Sequence, residues 1–295
     1  MLFRSVAARL AGTGGVTKNG NGVLTLNGPY ATTGNLAINS GTLNLGAGVA
    51  PTVTNLLGNS GTVLNLGANN LTVTGTSSSI SSTIQGTGGL VFNPSSASVM
   101  TLGGNNTFSG GITGNANARF IITNQNGLGT GTLNVSAQTA SSSFSSPTLG
   151  YNFGAGNTGV VANNIQITNS GVDVFIAQNT SAAAGQTLRL TGLISGGGSL
   201  TRLVFEESGT SNANMVVFDN PNNTFIATLR PQYGGFAFTS DAALGNADND
   251  IDLNSNASVV GAMRFDADNI VLNSSRNVSL SGTSPYINKI GRAHV

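Results

Sequence analysis

The sequence predicts an all-β chain wound as a parallel β-helix, and three observations lead there. Glycine supplies 42 of 295 residues and charged residues only 7%. Asn, Ser and Thr fill most polar positions, and these residue types disfavour helix interiors through backbone entropy and competing local hydrogen bonds. Second, 39% of residues are hydrophobic and the net charge is +1, which favours compaction over disorder. Third, short segments such as VLTLN, LAIN, TLNLG, VLNLG, LTVTG and IDLN alternate apolar residues with Asn or Thr between Asn-Gly, Ser-Gly and Gly-Gly turns. Each such strand has one dry face and one wet face. A dry face so short is buried either in a sandwich or barrel, or in a solenoid whose coils stack. With no Trp and 6% aromatic residues, narrow columns of Val, Leu, Ile and Ala suit the solenoid better. Coils of about 20 to 25 residues are expected, about a dozen in all.

Taken in order, residues 1–11 place Leu2, Phe3, Val6 and Leu10 at helical spacing, interrupted by Arg4 and Arg9. They read as a short amphipathic segment capping the fold and not as a secretory apolar core, so an export signal is expected upstream. GTGGVTKNGNGVLTLNG at 12–28 is echoed by GTGGLVFNPSSASVMTLGG at 86–104 and more loosely by SGGGSLTRLVFEESGTSNANMVVFDN at 195–220. Each echo is followed by a Thr/Gly turn and a further strand, which divides residues 12–289 into three large units near 12–85, 86–194 and 195–289. The ending IGRAHV, 290–295, has the form of a translated sequencing adapter. The natural frame is therefore expected to continue beyond Lys289, and His294, the sole histidine, carries no functional weight. A natural tail is the alternative.

The residues of the first unit resemble the passenger-associated repeat of autotransporters. Lys18, Gly20, Gly22, Leu24, Leu26 and Gly28 match its Gly-Gly-Leu-Thr-Lys-x-Gly-x-Gly-x-Leu-Thr-Leu-x-Gly pattern. The second unit keeps the Asn-Thr-aromatic turn as Asn106, Thr107, Phe108, Gly110 and Gly111 but lacks the Lys, and the third keeps Asn223, Thr224 and Phe225. The resemblance covers about three quarters of the chain. It implies a right-handed β-helical passenger exported by a Gram-negative-type bacterium and displayed at the cell surface, with a structural or adhesive role. The amphipathic strands of an outer-membrane barrel are missing from this sequence, so membrane association is expected only through such a barrel elsewhere.

Composition narrows the chemistry further. Eleven scattered Lys and Arg form no basic stripe, so no nucleic-acid partner is expected. Without cysteine there are no disulfides and no thiolate metal sites, and with His294 alone neither a Ser-His-Asp relay nor a zinc site can be assembled. No cofactor is expected. Gly154-Ala-Gly-Asn-Thr-Gly159 fits a dinucleotide-binding spacing, but the strand-like VVANNIQITN follows it where that chemistry needs a helix N-terminus.

Nine of the ten acidic residues lie at or after Glu206. Glu206 and Glu207 are adjacent, so a strand sends them to opposite faces, and a solvated edge is their expected place. Asp248, Asp250 and Asp252 alternate, so one strand face could carry all three and share a hard cation such as Ca²⁺, with Asp266 and Asp268 as further candidates. The alternative is a polar strand face screened by solvent. The sequence therefore reads as a non-enzymatic surface or secreted protein whose partner is a host or neighbouring-cell surface or a polysaccharide. Two other readings remain open. One is a self-assembling matrix protein joined end to end; the other is a polysaccharide-active enzyme using Arg202, Arg230, Arg264 and the acidic cluster.

Overall fold

A computed structural model describes residues 4–136, 148–169, 173–178, 185–207, 214–255, 262–282 and 286–289. Expected segment 290–295 lies outside them. The chain is a parallel β-helix: every strand pairing named below is parallel, and the single helical element among the described residues is a 3₁₀ turn at Asp241–Leu244. Contacts divide the chain into two compact units, 1–134 and 135–295.

Three ladders build the first unit. One joins Arg4–Val6, Val23–Leu26, Thr42–Leu45, Val63–Asn65 and Thr83–Gln85. A second runs from Val16–Lys18 through Leu36–Ile38, Leu56–Gly58, Ser77–Ile80 and Ser98–Leu102 to Ala118–Ile122. The third includes Thr52–Val53, Leu71–Val73, Leu90–Phe92 and Ile112–Gly114. Paired residues are 19 to 22 positions apart, as in Val23 with Thr42 and Leu90 with Ile112. Because the register is in step, like side chains stack into dry columns: Leu43 on Leu64 on Ile84, and Leu71 on Leu90 on Ile112, all at most 1% exposed. Burying each such side chain stabilises the coil by roughly 1.5–3 kcal/mol.

Residues 4–12 are extended and not helical. Arg4–Val6 and Leu10–Gly12 lie in register beside Val23–Leu26 and Tyr30–Thr32, so this segment forms a coil of its own. The apolar spacing that reads as helical also satisfies strands, because runs this short hold too few residues to set a period.

In the second unit one ladder runs Thr158–Val161, Thr187–Leu190, Met215–Phe218, Gly235–Phe238, Ala262–Phe265 and Tyr286–Lys289. Another runs Leu149–Tyr151, Asp173–Gln178, Ile194–Glu207, Ile226–Tyr233, Ile251–Ser255 and Val278–Gly282. Here coils span 20 to 29 positions, from Met215 with Gly235 to Thr158 with Thr187, longer than the sequence suggests. Phenylalanine joins the expected small aliphatics in the interior of this unit. Phe205 lies 5.7 Å from Phe218 and 5.2 Å from Phe236, and Phe238 lies 4.8 Å from Phe265, ring centre to ring centre. Strand Ile194–Glu207 breaks register between Gly197 and Arg202, where Gly196 and Gly197 take φ of 84° and 80°, a conformation costly for residues bearing a Cβ.

Asparagine does two distinct jobs. At corners, the Oδ1 of Asn115, Asn124, Asn220, Asn246 and Asn273 accepts the backbone N–H two residues on, each closing a turn in its own chain segment. Between coils, asparagines stack in ladders: Asn39 Nδ2 donates to Asn19 Oδ1 at 2.9 Å, and Asn59 Nδ2 donates to the Asn39 carbonyl at 3.1 Å.

Candidate functional site

The motif residues have the most defined surroundings. Lys18, the sole charge of the repeat pattern, is buried at 5% exposure, and its Nζ donates to the carbonyls of Asn19, Gly20 and Ser40 at 3.2, 2.6 and 2.9 Å. All three ammonium protons therefore have an acceptor, two from its own turn and one from the next coil. A cavity of about 470 Å³ borders it, lined also by Thr17, Gly22, Val23 and Leu24. Lys18→Met is expected to lower the stability of the first unit by about 2 kcal/mol, because three carbonyls lose a charged donor. Urea unfolding of the two proteins checks this.

The Asn-Thr-Phe turns of the second and third sequence units are built alike. Ile84 N–H donates to Asn106 Oδ1 at 2.7 Å, and Asn106 Nδ2 donates to the Gly127 carbonyl at 2.7 Å. Ile194 N–H donates to Asn223 Oδ1 at 2.8 Å, and Asn223 Nδ2 donates to the Ala243 carbonyl at 2.8 Å. Each buried amide therefore ties the coil before it to the coil after it. Phe108 and Phe225 are both fully buried, and their carbonyls accept from Thr130 and Asn246. Gly129 and Gly245, at φ of 70° and 74°, sit where a Cβ would lie 2.9 Å from the ring Cδ1 of Phe108 and Phe225 respectively. The sequence likeness of these turns is thus a likeness of hydrogen bonding and packing.

The proposed cation ligands separate. The strand begins at Ile251, so Asp248 lies in a turn and Asp250 precedes the strand; only Asp252 is on it. Asp250 Oδ1 accepts the backbone N–H and Nδ2 of Asn277, while Asp252 accepts from Ser279 and lies 3.6 Å from Arg230 Nε. Asp266 is held by Arg264 at 2.5 and 2.8 Å. Among the described residues no group of three or more carboxylate or imidazole side chains is placed to hold a metal. Asp248 and Asp250 do share a pocket of about 350 Å³ with Ser199, Ile226, Ala227, Thr228, Asn246 and Asn249. Its exposed carboxylate, amide and hydroxyls offer hydrogen bonding to a polar ligand.

The arginines are equally committed. Arg202 makes a two-pronged pair with Asp173 at 2.6 and 2.9 Å, directly across a strand pairing, and Arg189 meets Asp219 at 2.8 Å. Arg276 Nε meets Asp241 Oδ1 at 2.7 Å. Nothing in residue spacing announces these pairs, because their partners lie 29 to 35 positions away. Glu206, expected at a solvated edge, is instead buried at 6% exposure, since its strand is flanked by Asp173–Gln178 and Ile226–Tyr233. Only the backbone of Glu207 is described. Gly154 and Gly156 form a left-handed turn leading straight into Thr158–Val161, so no helix follows them.

Arg119 is the contrasting case. It is buried at 5% exposure, its NH1 donates to the Ala116 and Ala118 carbonyls, and its Nε has no hydrogen-bond partner. Burial pulls its pKa down to about 10. Because the folded value lies below the ordinary one, this group's contribution to stability rises as pH climbs through about 10. Arg119→Met is expected to leave stability within about 1 kcal/mol of the parent or to raise it, since a buried cation without an acid partner contributes little. Thermal melts of the variant and the parent at neutral pH check this.

Among the described residues no helix is long and apolar enough to cross a membrane, which leaves β-barrel insertion unaddressed. Comparison of the chain with models of protein families, with curated proteins and with solved structures returned no match.

Proposed function

We propose that the chain is a non-enzymatic segment of a surface or secreted protein, of the autotransporter-passenger kind, whose outer faces contact a host or neighbouring-cell surface or a polysaccharide. The observation that carries this reading is where the polar chemistry goes. The repeat's Lys18, Asn106 and Asn223 are spent inside, tying coil to coil. The arginines that an enzyme reading would recruit, Arg202, Arg230 and Arg264, are paired with Asp173, Asp252 and Asp266. What faces outward in the first unit is a run of uncharged Asn, Thr and Ser, with no charged residue between Lys18 and Arg119. Such a scaffold tolerates export as an unfolded chain, because each coil gains its stability from the previous one as it folds.

Antibody raised against the purified chain tests the reading. It should label intact cells that encode the protein, and the signal should fall when those cells are treated with external protease. Labelling that requires lysis would overturn it.

A further inference from the structure

The cleft of about 350 Å³ that holds Asp248 and Asp250 opens on the second unit, and its shape comes from a break in strand pairing. Gly197 lies beside Ile226 and Arg202 beside Thr228, so Gly198, Ser199, Leu200 and Thr201 stand opposite Ala227 alone and bulge out of the ladder. Gly198 N–H closes the bulge by donating to Thr201 Oγ1 at 3.1 Å, and Leu200 within it is 73% exposed. Residues 226–228 form the floor, and the described pairing of their strand with the following coil is Leu229 with Ile251. Ahead of that point the Asx turn of Asn246 forms the other wall. Asn249 holds that wall by taking the Ala227 N–H on its Oδ1 at 3.0 Å, and Arg276 holds it by donating to the Asn246 and Asn249 carbonyls. Asp250 is bonded to Asn277 of the coil beyond, so the cleft lies within the stack.

We propose that this cleft is a binding site for a neutral saccharide unit. Elsewhere in the second unit polar side chains are spent on the fold: Asp173, Asp219, Asp241 and Asp266 each meet an arginine, and Asn223 and Asn249 bond the backbone of neighbouring coils. In the cleft, among the described residues, no hydrogen bond engages the Asp248 carboxylate, Asn246 Nδ2 or the hydroxyls of Ser199 and Thr228. Asp250 Oδ2 is open too, since Asn277 bonds Oδ1. The set therefore combines an amide donor, carboxylate acceptors and hydroxyls that serve as either, which matches a sugar ring whose hydroxyls both donate and accept. Hydroxyl bonds to a carboxylate are charge-assisted and strong. Beside them Ile226 is 42% exposed, and with Leu200 it offers apolar surface to the C–H face of such a ring. A purely cationic ligand would use the two carboxylates and leave the amide donor unmatched. The volume falls within the range of about 300–1,000 Å³ usual for small-ligand sites. The ligand class rests on the surface-protein reading above, in which a polysaccharide is one partner.

Titration calorimetry of the purified chain with maltose, cellobiose, lactose and diacetylchitobiose is expected to show saturable binding of at least one. Asp248→Ala should weaken that binding about tenfold, as the loss of a charge-assisted hydrogen bond does. Ile226→Ala should weaken it as well, whereas Thr113→Ala, an exposed change in the first unit, leaves it in place. Asp248 and Ile226 are both exposed, so the variants are expected to fold, which circular dichroism checks. Failure of all four disaccharides to bind the parent chain overturns the proposal. So does binding of spermidine or calcium that Asp248→Ala abolishes when no saccharide binds, which is the signature of a cation site. Saccharide binding that survives both substitutions also overturns it. These titrations need no cells, so the site can fail while antibody labels intact cells, and the reverse.

Discussion

Replacing Arg276 with methionine is expected to cost the second unit about 3–5 kcal/mol, the range for removing one partner of a buried charge pair. The guanidinium is fully buried, whereas Asp241 retains 22% exposure. Its Nε and NH2 reach the Asp241 carboxylate, and its remaining hydrogens go to the carbonyls of Asp241, Gly245, Asn246 and Asn249. These four carbonyls belong to the 3₁₀ turn and the Asx turn that follows, so one side chain supplies the donors for a corner with no further coil element of its own. Methionine fills the space but donates nothing, so the Asp241 carboxylate keeps only the Asn273 N–H, the Asn246 carbonyl only the Asn249 N–H, and the Gly245 and Asn249 carbonyls lose the guanidinium. Arg276→Lys should recover little, because a single ammonium cannot span both the carboxylate and the carbonyls. Urea titration followed by far-UV circular dichroism reads the loss. Hydrogen exchange should place it in residues 241–255 before the rest of the unit. A change under 1 kcal/mol would mean that water replaces the guanidinium at that corner.

Asn223→Leu is expected to cost about 3 kcal/mol, because it orphans a donor and an acceptor that are both buried. The Ile194 N–H and the Ala243 carbonyl lose their partner together. Asn106→Leu should behave alike in the first unit, at the Ile84 N–H and the Gly127 carbonyl. Asn223→Asp separates the two halves of the argument: it keeps the acceptor for Ile194 but removes the donor and adds a buried charge, so it should be no milder than leucine. By contrast, Asn126→Ala removes a side chain that bonds Asn105 at an exposed corner, and should cost less than about 1 kcal/mol. Thermal melts of the four variants against the parent check the ranking. Equal effects at Asn126 and Asn223 would show that burial is not what gives these amides their weight.

The fold class was legible because the alternation of Leu, Val and Ile with Asn and Thr is local, and a two-residue period needs no knowledge of what lies across the coil. VLTLN and TLNLG give strands Val23–Leu26 and Thr42–Leu45 for that reason. The Asn-Thr-Phe turns were legible as a repeated pattern, although not as two buried amides doing the same job. The alternation of Asp248, Asp250 and Asp252 implies one strand, but the Asx turn at Asn246 carries the chain past Asp248 before the strand starts at Ile251. The spread of aromatic side chains through the second unit was equally hidden, because composition reports 13 phenylalanines without saying that six of them meet.

Residue order alone determined that this protein is β throughout, that its strands are short and half-dry, and where its glycine and asparagine corners fall, since all of these follow from neighbours along the chain. Tertiary structure decided the rest: which coil each strand lies on, which aspartate each arginine meets, and that Lys18 and Glu206 are inside. Those outcomes depend on circumference, the number of residues needed to bring the backbone round to the same ladder. Among the pairings described above that number varies from 19 to 29, so it has no fixed period that a sequence could display.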